Sequence, residues 1–173
     1  RRSIVLEGCT RSRVEDLVMI EPSSWMIMLG ASEDITLRNV RTLGTVASSD
    51  GVDVVGCRRV RIEDCFLRNG DDCIAIKSLD MRPHGGASLD YTRDVEDIAV
   101  SGCAFMAYQG GCAMEIGHEL RCASVRNVRF VDCDVLKKPQ YGAPFGIHDA
   151  DRAVVSDVLW ENIRVEHHYD KLV

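Results

Sequence analysis

Residues 47–78 read ASSDGVDVVGCRRVRIEDCFLRNGDDCIAIKS, and this stretch decides the fold. It holds two similar phrases, Ser49-Asp50-Gly51-Val52-Asp53-Val54 and Asp71-Asp72-Cys73-Ile74-Ala75-Ile76. Aligning their apolar alternations sets Val52 against Ile74, Val54 against Ile76 and Asp50 against Asp72. Between them Val60-Arg61-Ile62 gives another short strand signal. Strand, turn, strand and a carboxylate recurring about 22 residues apart describe one coil of a parallel β-solenoid. Adjacent parallel strands lie about 4.8 Å apart, so Asp50 and Asp72 become neighbours on one wall, with Asp71 beside them.

The repeat extends in both directions. Leu17-Val18-Met19, Ile35-Thr36-Leu37, Val60-Arg61-Ile62, Ile98-Ala99-Val100, Val128-Arg129-Phe130 and Val158-Leu159-Trp160 share an apolar-x-apolar core, most with Asp, Asn or a basic residue close before it. Three residues beyond the core come Val40, Cys65, Cys103, Cys133 and Ile163, which predicts an interior ladder with one thiol in each of three coils. Apolar residues alternate with period two, and a 3.6-residue period is absent almost everywhere. The expected fold is therefore all-β, a parallel β-helix of about six coils, occupying 1–173 as a single domain. Irregular spacing between coils places variable loops at one corner, the longest from Ser78 to Val95 with Pro83, Gly85 and Gly86, and a second from Lys137 to Pro144. Neither end has the look of a polar cap, and the chain opens on Arg1-Arg2-Ser3-Ile4, already strand-like. The expectation is a piece of a longer β-helix, truncated at both ends and poorly soluble alone.

Composition narrows the function classes. A net charge of −6 argues against a nucleic-acid partner, because nothing neutralises phosphates in bulk. No apolar run approaches the length of a membrane span. The eight cysteines show no CxxC and no paired Cys/His set, so no metal and no cofactor are expected, and buried thiols are preferred to disulfides.

Several phrases resemble glycoside hydrolase family 28, the polygalacturonases and their relatives. They are Arg1 to Cys9, Val14-Glu15-Asp16-Leu17, Ser24-Trp25-Met26-Ile27, Ser48-Ser49-Asp50-Gly51, which is close to the family's Asn-Thr-Asp-Gly, and above all Asn69-Gly70-Asp71-Asp72 with the strand that follows. The resemblance implies a right-handed parallel β-helix that hydrolyses glycosidic bonds with inversion. By similarity Asp71 is the general acid, while Asp50 and Asp72 hold and activate the water. Taken alone, the three aspartates also read as turn formers. A secreted or periplasmic location is implied by resemblance only.

Two family motifs are missing. Where the family has Gly-His-Gly, this chain has Gly111-Cys112-Ala113; His118 follows six residues on and reads equally as a solvated loop residue or a groove residue. Where the family has Arg-Ile-Lys, which grips a substrate carboxylate, this chain has Gly146-Ile147-His148. Strand parity sets Asp53, Ala75, Glu115 and Gly146 in one row, and Val55, Lys77, Gly117 and His148 in the next. A polar, acidic groove lined by Asp53, Glu115, His118, His148 and Asp149, with Lys77 nearby, suits neutral sugar hydroxyls on a polysaccharide or oligosaccharide and repels a polyanion. Trp25 and Tyr141 are candidates for stacking on sugar faces, with packing the commoner role for Trp25. The competing classes are a dextranase-like hydrolase, a non-catalytic carbohydrate-binding β-helix and, third, a calcium-dependent polysaccharide lyase.

Overall fold

The computed structural model describes residues 2–22, 24–80 and 90–173. Among them there is no helix, and hence none long and apolar enough to cross a membrane. Six coils follow in order: β1 (Ile4–Glu7) with β2 (Thr10–Ile20); β3 (Ile27–Gly30) with β4 (Glu33–Leu43); β5 (Val52–Val55), β6 (Arg58–Glu63) and β7 (Phe66–Asn69); β8 (Ile74–Ser78), β9 (Val95–Ser101) and β10 (Ala104–Ala107); β11 (Met114–Leu120), β12 (Ser124–Val131) and β13 (Asp134–Lys137); β14 (Phe145–Asp149), β15 (Val154–Glu161) and β16 (Arg164–Val165). Every pairing is parallel. One six-stranded face runs β1-β3-β5-β8-β11-β14. A ten-stranded sheet wraps the other two sides, because β4 bends: Glu33–Arg38 pairs with β6, and Arg41–Leu43 pairs with β7. The result is a parallel β-helix.

The bends have a local cause. One residue per coil ahead of the second face has positive φ, namely Arg11, Asp34, Arg59, Asp97, Asn127 and Asp157. A second set, Asp16, Asn39, Asp64, Gly102, Asp132 and Asn162, marks the corner to the third face. Asp, Asn and Gly tolerate the left-handed region best. Stacked corners also bond to one another, as where Asn39 Nδ2 donates to Asp16 Oδ1 at 2.8 Å. The Asp, Asn or basic residue ahead of five of the six apolar cores in the sequence is the first of these corners, and Asp16, ahead of Leu17, is the second.

Inside, the predicted ladder is present. Strand register puts Leu17, Val40, Cys65, Cys103, Cys133 and Ile163 on successive rungs. All eight cysteines are thiols, six of them buried. Leu17 belongs to this ladder and not to the second-face core, where coil one instead offers Ser12-Arg13-Val14. That first core lacks an apolar residue at Ser12, so the sequence pattern slipped to the next match. The stretch 81–89, which carries Pro83, Gly85 and Gly86, lies outside the described residues; of the second long connection, Lys138 is fully buried.

Side chains such as Phe105, Phe130, Ile62 and Leu67 are fully buried in one continuous core, and each contributes about 1.5–3 kcal/mol by leaving water. Phe130 also stacks on Trp160 at 6.2 Å between centroids. We expect Phe130→Ala to lower unfolding stability by about 3–5 kcal/mol, while Val18→Ala, 55% exposed, stays within about 0.5 kcal/mol. Urea midpoints of the two variants check this.

Candidate active site

The two phrases that open the sequence stack as their alternation predicts, with Val52 against Ile74 and Val54 against Ile76. Just before these strands Gly51 N donates to Asp72 O at 2.8 Å, and Cys73 N to Cys112 O at 3.0 Å. Asp50, Asp72 and Cys112 are therefore successive rungs. The turn carrying Asp71-Asp72 is fixed from beneath. Fully buried Asn69 accepts from Thr42 Oγ1 at 2.8 Å, and Gly70 N donates to Ser49 Oγ at 3.0 Å. On the next coil Gly111 passes so close that a Cβ there would lie 2.3 Å from Asp72 N and 2.7 Å from an Asp71 carboxylate oxygen. Only glycine allows that approach.

Above these rungs lies a cleft of about 350 Å³ whose walls include Trp25, Asp50, Asp71, Asp72, Lys77, Cys112, His118 and His148. A larger concavity, about 510 Å³, crosses β4, β6, β9 and β12 on another face. There Arg59 binds Glu33 and Asp34 at 2.7 Å, and the Arg59 guanidinium holds the Asp34 carboxyl below its usual range. The smaller cleft is the one where Asp50, Asp71 and Asp72 meet.

Its carboxyls are shifted upward together. Burial pushes Asp72 to about 8, against a hydrogen bond of 2.6 Å that Cys112 N donates to its Oδ1 and with a further push from Asp50. Burial also lifts Asp50 to about 6; it outweighs the Lys77 ammonium, and Asp71 adds to the lift. Asp71, half buried, is raised by the same cause and opposed by Lys77. Lys77 Nζ lies 3.4 Å from both Asp50 Oδ2 and Asp53 Oδ1 and 4.6 Å above the Trp25 ring. Its own burial opposes its charge, yet the surrounding carboxylates win and strengthen its hold on the proton. Lys77 is thus engaged by protein carboxylates.

The two rows read from strand parity are present, with Asp53 beside Ala75, Ala75 beside Glu115, Glu115 beside Gly146, Val55 beside Lys77, and Gly117 beside His148. Their exposure differs from expectation. Asp53 and Glu115 do not line an open groove: both are fully buried under its floor, roofed by Trp25, Lys77 and His148. Burial, then the neighbouring Asp50, drives the Asp53 carboxyl well above its usual range. His148 Nδ1 lies 2.7 Å from Glu115 Oε1, and its ring stacks on His118 at 4.8 Å, so both histidines reach the cleft. Asp149 is exposed and accepts from Asp151 N, away from the cleft lining. Trp25 both packs on the apolar group of Met28, Val55 and Tyr91 and faces the cleft. Tyr141, 71% exposed, meets Tyr169 edge-on outside it. Glu119, Asp170 and Lys171 also border the cleft; Asp170 and Lys171 come from a tail with no periodic signal to align.

A buried carboxyl whose pKa is raised keeps its proton in the folded state after the unfolded chain has lost it. Stability therefore falls as pH rises from about 4, the unfolded value, to about 8, the folded value of Asp72. Asp72→Asn keeps an acceptor for Cys112 N and removes the penalty. We expect it to equal the parent near pH 4 and to be more stable by about 1–3 kcal/mol at pH 8, read from urea unfolding at both pH values.

Three comparisons bear on kinship. The family described as glycosyl hydrolases family 28 matches residues 1–171. A probable exopolygalacturonase C of Aspergillus terreus is 30% identical over 142 residues, covering 77% of this chain and 28% of that protein. A probable polygalacturonase of Arabidopsis thaliana is 26% identical over 130 residues, 65% of this chain and 28% of its own length. A probable polygalacturonase of Vitis vinifera is 34% identical over 68 residues, 38% of this chain and 14% of its own length. The chain thus spans less than a third of each of these relatives. No solved structure matches it significantly. With the parallel coils and the aspartate cleft in place, the match along nearly the whole length settles the kinship: this chain belongs to glycosyl hydrolase family 28.

Proposed function

We propose that the cleft hydrolyses a glycosidic bond of a polysaccharide or oligosaccharide by inverting acid–base catalysis. The observation that carries this is the convergence of Asp50, Asp71 and Asp72 at one cleft, each with its carboxyl pushed upward by burial. Inversion needs a protonated acid at the leaving oxygen and a carboxylate that takes a proton from water on the opposite side of the sugar ring. Asp71, the least buried of the three, holds its proton and gives it to the leaving oxygen. Asp50 and Asp72 bind the water between successive rungs. Crowded carboxyls ionise one at a time, so the pair accepts the water's proton through the member ionised first, Asp50, which Lys77 favours. Hydroxide attacks the anomeric carbon, the glycosidic C–O bond breaks, and the starting state returns when Asp50 gives its proton to solvent and Asp71 takes one up.

The substrate subsite departs from the polygalacturonases named among the relatives. Gly146 and His148 stand where a uronate-gripping arginine and lysine are expected, and Lys77 is occupied by Asp50 and Asp53. Bidentate capture of a carboxylate needs a guanidinium or a fixed ammonium. Among the described residues, Lys171 is the remaining cation at the cleft wall. A neutral or rhamnose-containing glycan fits this lining better than polygalacturonate.

A reducing-sugar assay on polygalacturonate, rhamnogalacturonan, dextran and neutral glycans tests the proposal. Asp71→Asn is expected to lower kcat by about 10²–10⁴ with the fold intact; an active Asp71→Asn variant overturns the assignment. Strong activity on polygalacturonate overturns the altered subsite alone. Silence on every glycan, with binding retained, favours a binding module.

The pH profile gives a further check. The base works only when ionised, so kcat/KM should rise with pH through about 6 on its acid side. Lys77→Met removes the cation that favours ionised Asp50, and the acid limb should move to higher pH. An unmoved limb would exclude Asp50 as the base.

A further inference from the structure

Cys112 Sγ, a Glu115 carboxylate oxygen and a His148 ring nitrogen all lie within 4.8 Å of one another. Cys112 is 4% exposed and Glu115 fully buried, and Glu115 Oε2 has no hydrogen-bond partner. A buried, unpartnered carboxylate oxygen is costly unless something compensates it. Space has been made for it as well. A Cβ at Gly146 would fall 1.9 Å from Glu115 Oε2 and 3.0 Å from Cys112 Sγ, so the glycine is what lets the carboxylate sit here beside the thiol. Three of the four residues involved, Cys112, Gly146 and His148, are the positions where this chain parts from the family motifs. The departures converge on a single point.

We propose that Cys112, Glu115 and His148 form a binding site for a divalent transition-metal ion of the zinc class, at the floor of the cleft. Thiolate, imidazole and carboxylate together are the donors of Zn²⁺ or Co²⁺, whereas Mg²⁺ and Ca²⁺ take oxygen. Ligand atoms around a tetrahedral ion of this kind sit roughly 3.4–3.6 Å apart. Shifts of about an ångström in side-chain position reach that geometry from the present one. The ion replaces the proton between Glu115 Oε1 and His148 Nδ1, and the Cys112 thiol releases its proton to solvent on binding. Charge favours it: Lys77 contacts Asp50 and Asp53, and Lys138 Nζ is bonded to the Gln109 and Gln140 carbonyls, so neither ammonium caps Glu115. Cys112 and His148 both border the cleft, so the fourth coordination position points toward bound sugar or water. The hydrolytic steps proposed above do not pass through this ion.

The test is a Co²⁺ titration of the chelator-treated protein, followed by absorption and without substrate, so that its result is independent of hydrolysis. Binding should saturate at one equivalent with a thiolate-to-cobalt charge-transfer band, and Zn²⁺ should bleach it. Cys112→Ser should lose the band. Glu115→Gln and His148→Ala should each weaken binding by about tenfold or more, and Cys122→Ser, a half-buried thiol outside the cluster, should leave it unchanged. Circular dichroism confirms that each variant is folded; His148 is partly exposed, so His148→Ala provides a variant with little packing to lose. Absence of saturable binding, a band that survives Cys112→Ser, or Co²⁺ affinity unchanged by His148→Ala overturns the site.

Discussion

In-register hydrogen bonding between parallel coils is the constraint on which everything else in this molecule rests. It places each paired residue about 4.8 Å from its counterpart on the next coil, and the chain leaves register only at corners and at the bulges in the β10–β13 and β8–β11 pairings. Apolar residues gain from this, because like stacks on like and the interior fills without gaps, as in the ladder from Leu17 to Ile163. Carboxylates lose, because stacking brings like charges together. Asp50 over Asp72 is therefore an arrangement the fold tolerates at a cost.

That cost is linked to the chemistry. A carboxyl on an exposed turn ionises below pH 5 and is a poor acid at neutral pH. Burial between coils raises all three aspartates, and the ammonium of Lys77, which lies against Asp50 and Asp53, opposes the rise in each of the three. Trp25 roofs the ammonium and keeps it in place.

Much of this was legible in the sequence. The phase between Val52 and Ile74 fixed the coil, since period-two alternation leaves only one register that keeps apolar residues inside. The two rows through Asp53 and Lys77 followed from the same parity. Coil one was misassigned because Ser12 breaks the apolar pattern and Leu17, five residues on, restores it in the wrong face. The burial of Asp53 and Glu115 was hidden, since it depends on Trp25 and His148 folding over them, and a strand pattern says which way a side chain points but not what covers it. The Cys112, Glu115 and His148 cluster escaped for a related reason: local spacing rules look for ligands within one segment, whereas here they come from β11, the turn before it, and β14.

The left-handed corner residues have a consequence for how such a chain can change length. Asp16, Asn39, Asp64, Asp132 and Asn162 occupy equivalent positions, and Asn39 and Asn162 each donate to the aspartate stacked beside them. A duplicated complete coil would present equivalent corners and an apolar ladder residue to its new neighbours. A single residue inserted within β5 would instead exchange its two faces, turning Val54 outward and Asp53 into the core. Length changes in this architecture are thus sorted by place: corners absorb loops, and a strand takes extra residues only as a bulge, as β11 does between Ile116 and Leu120.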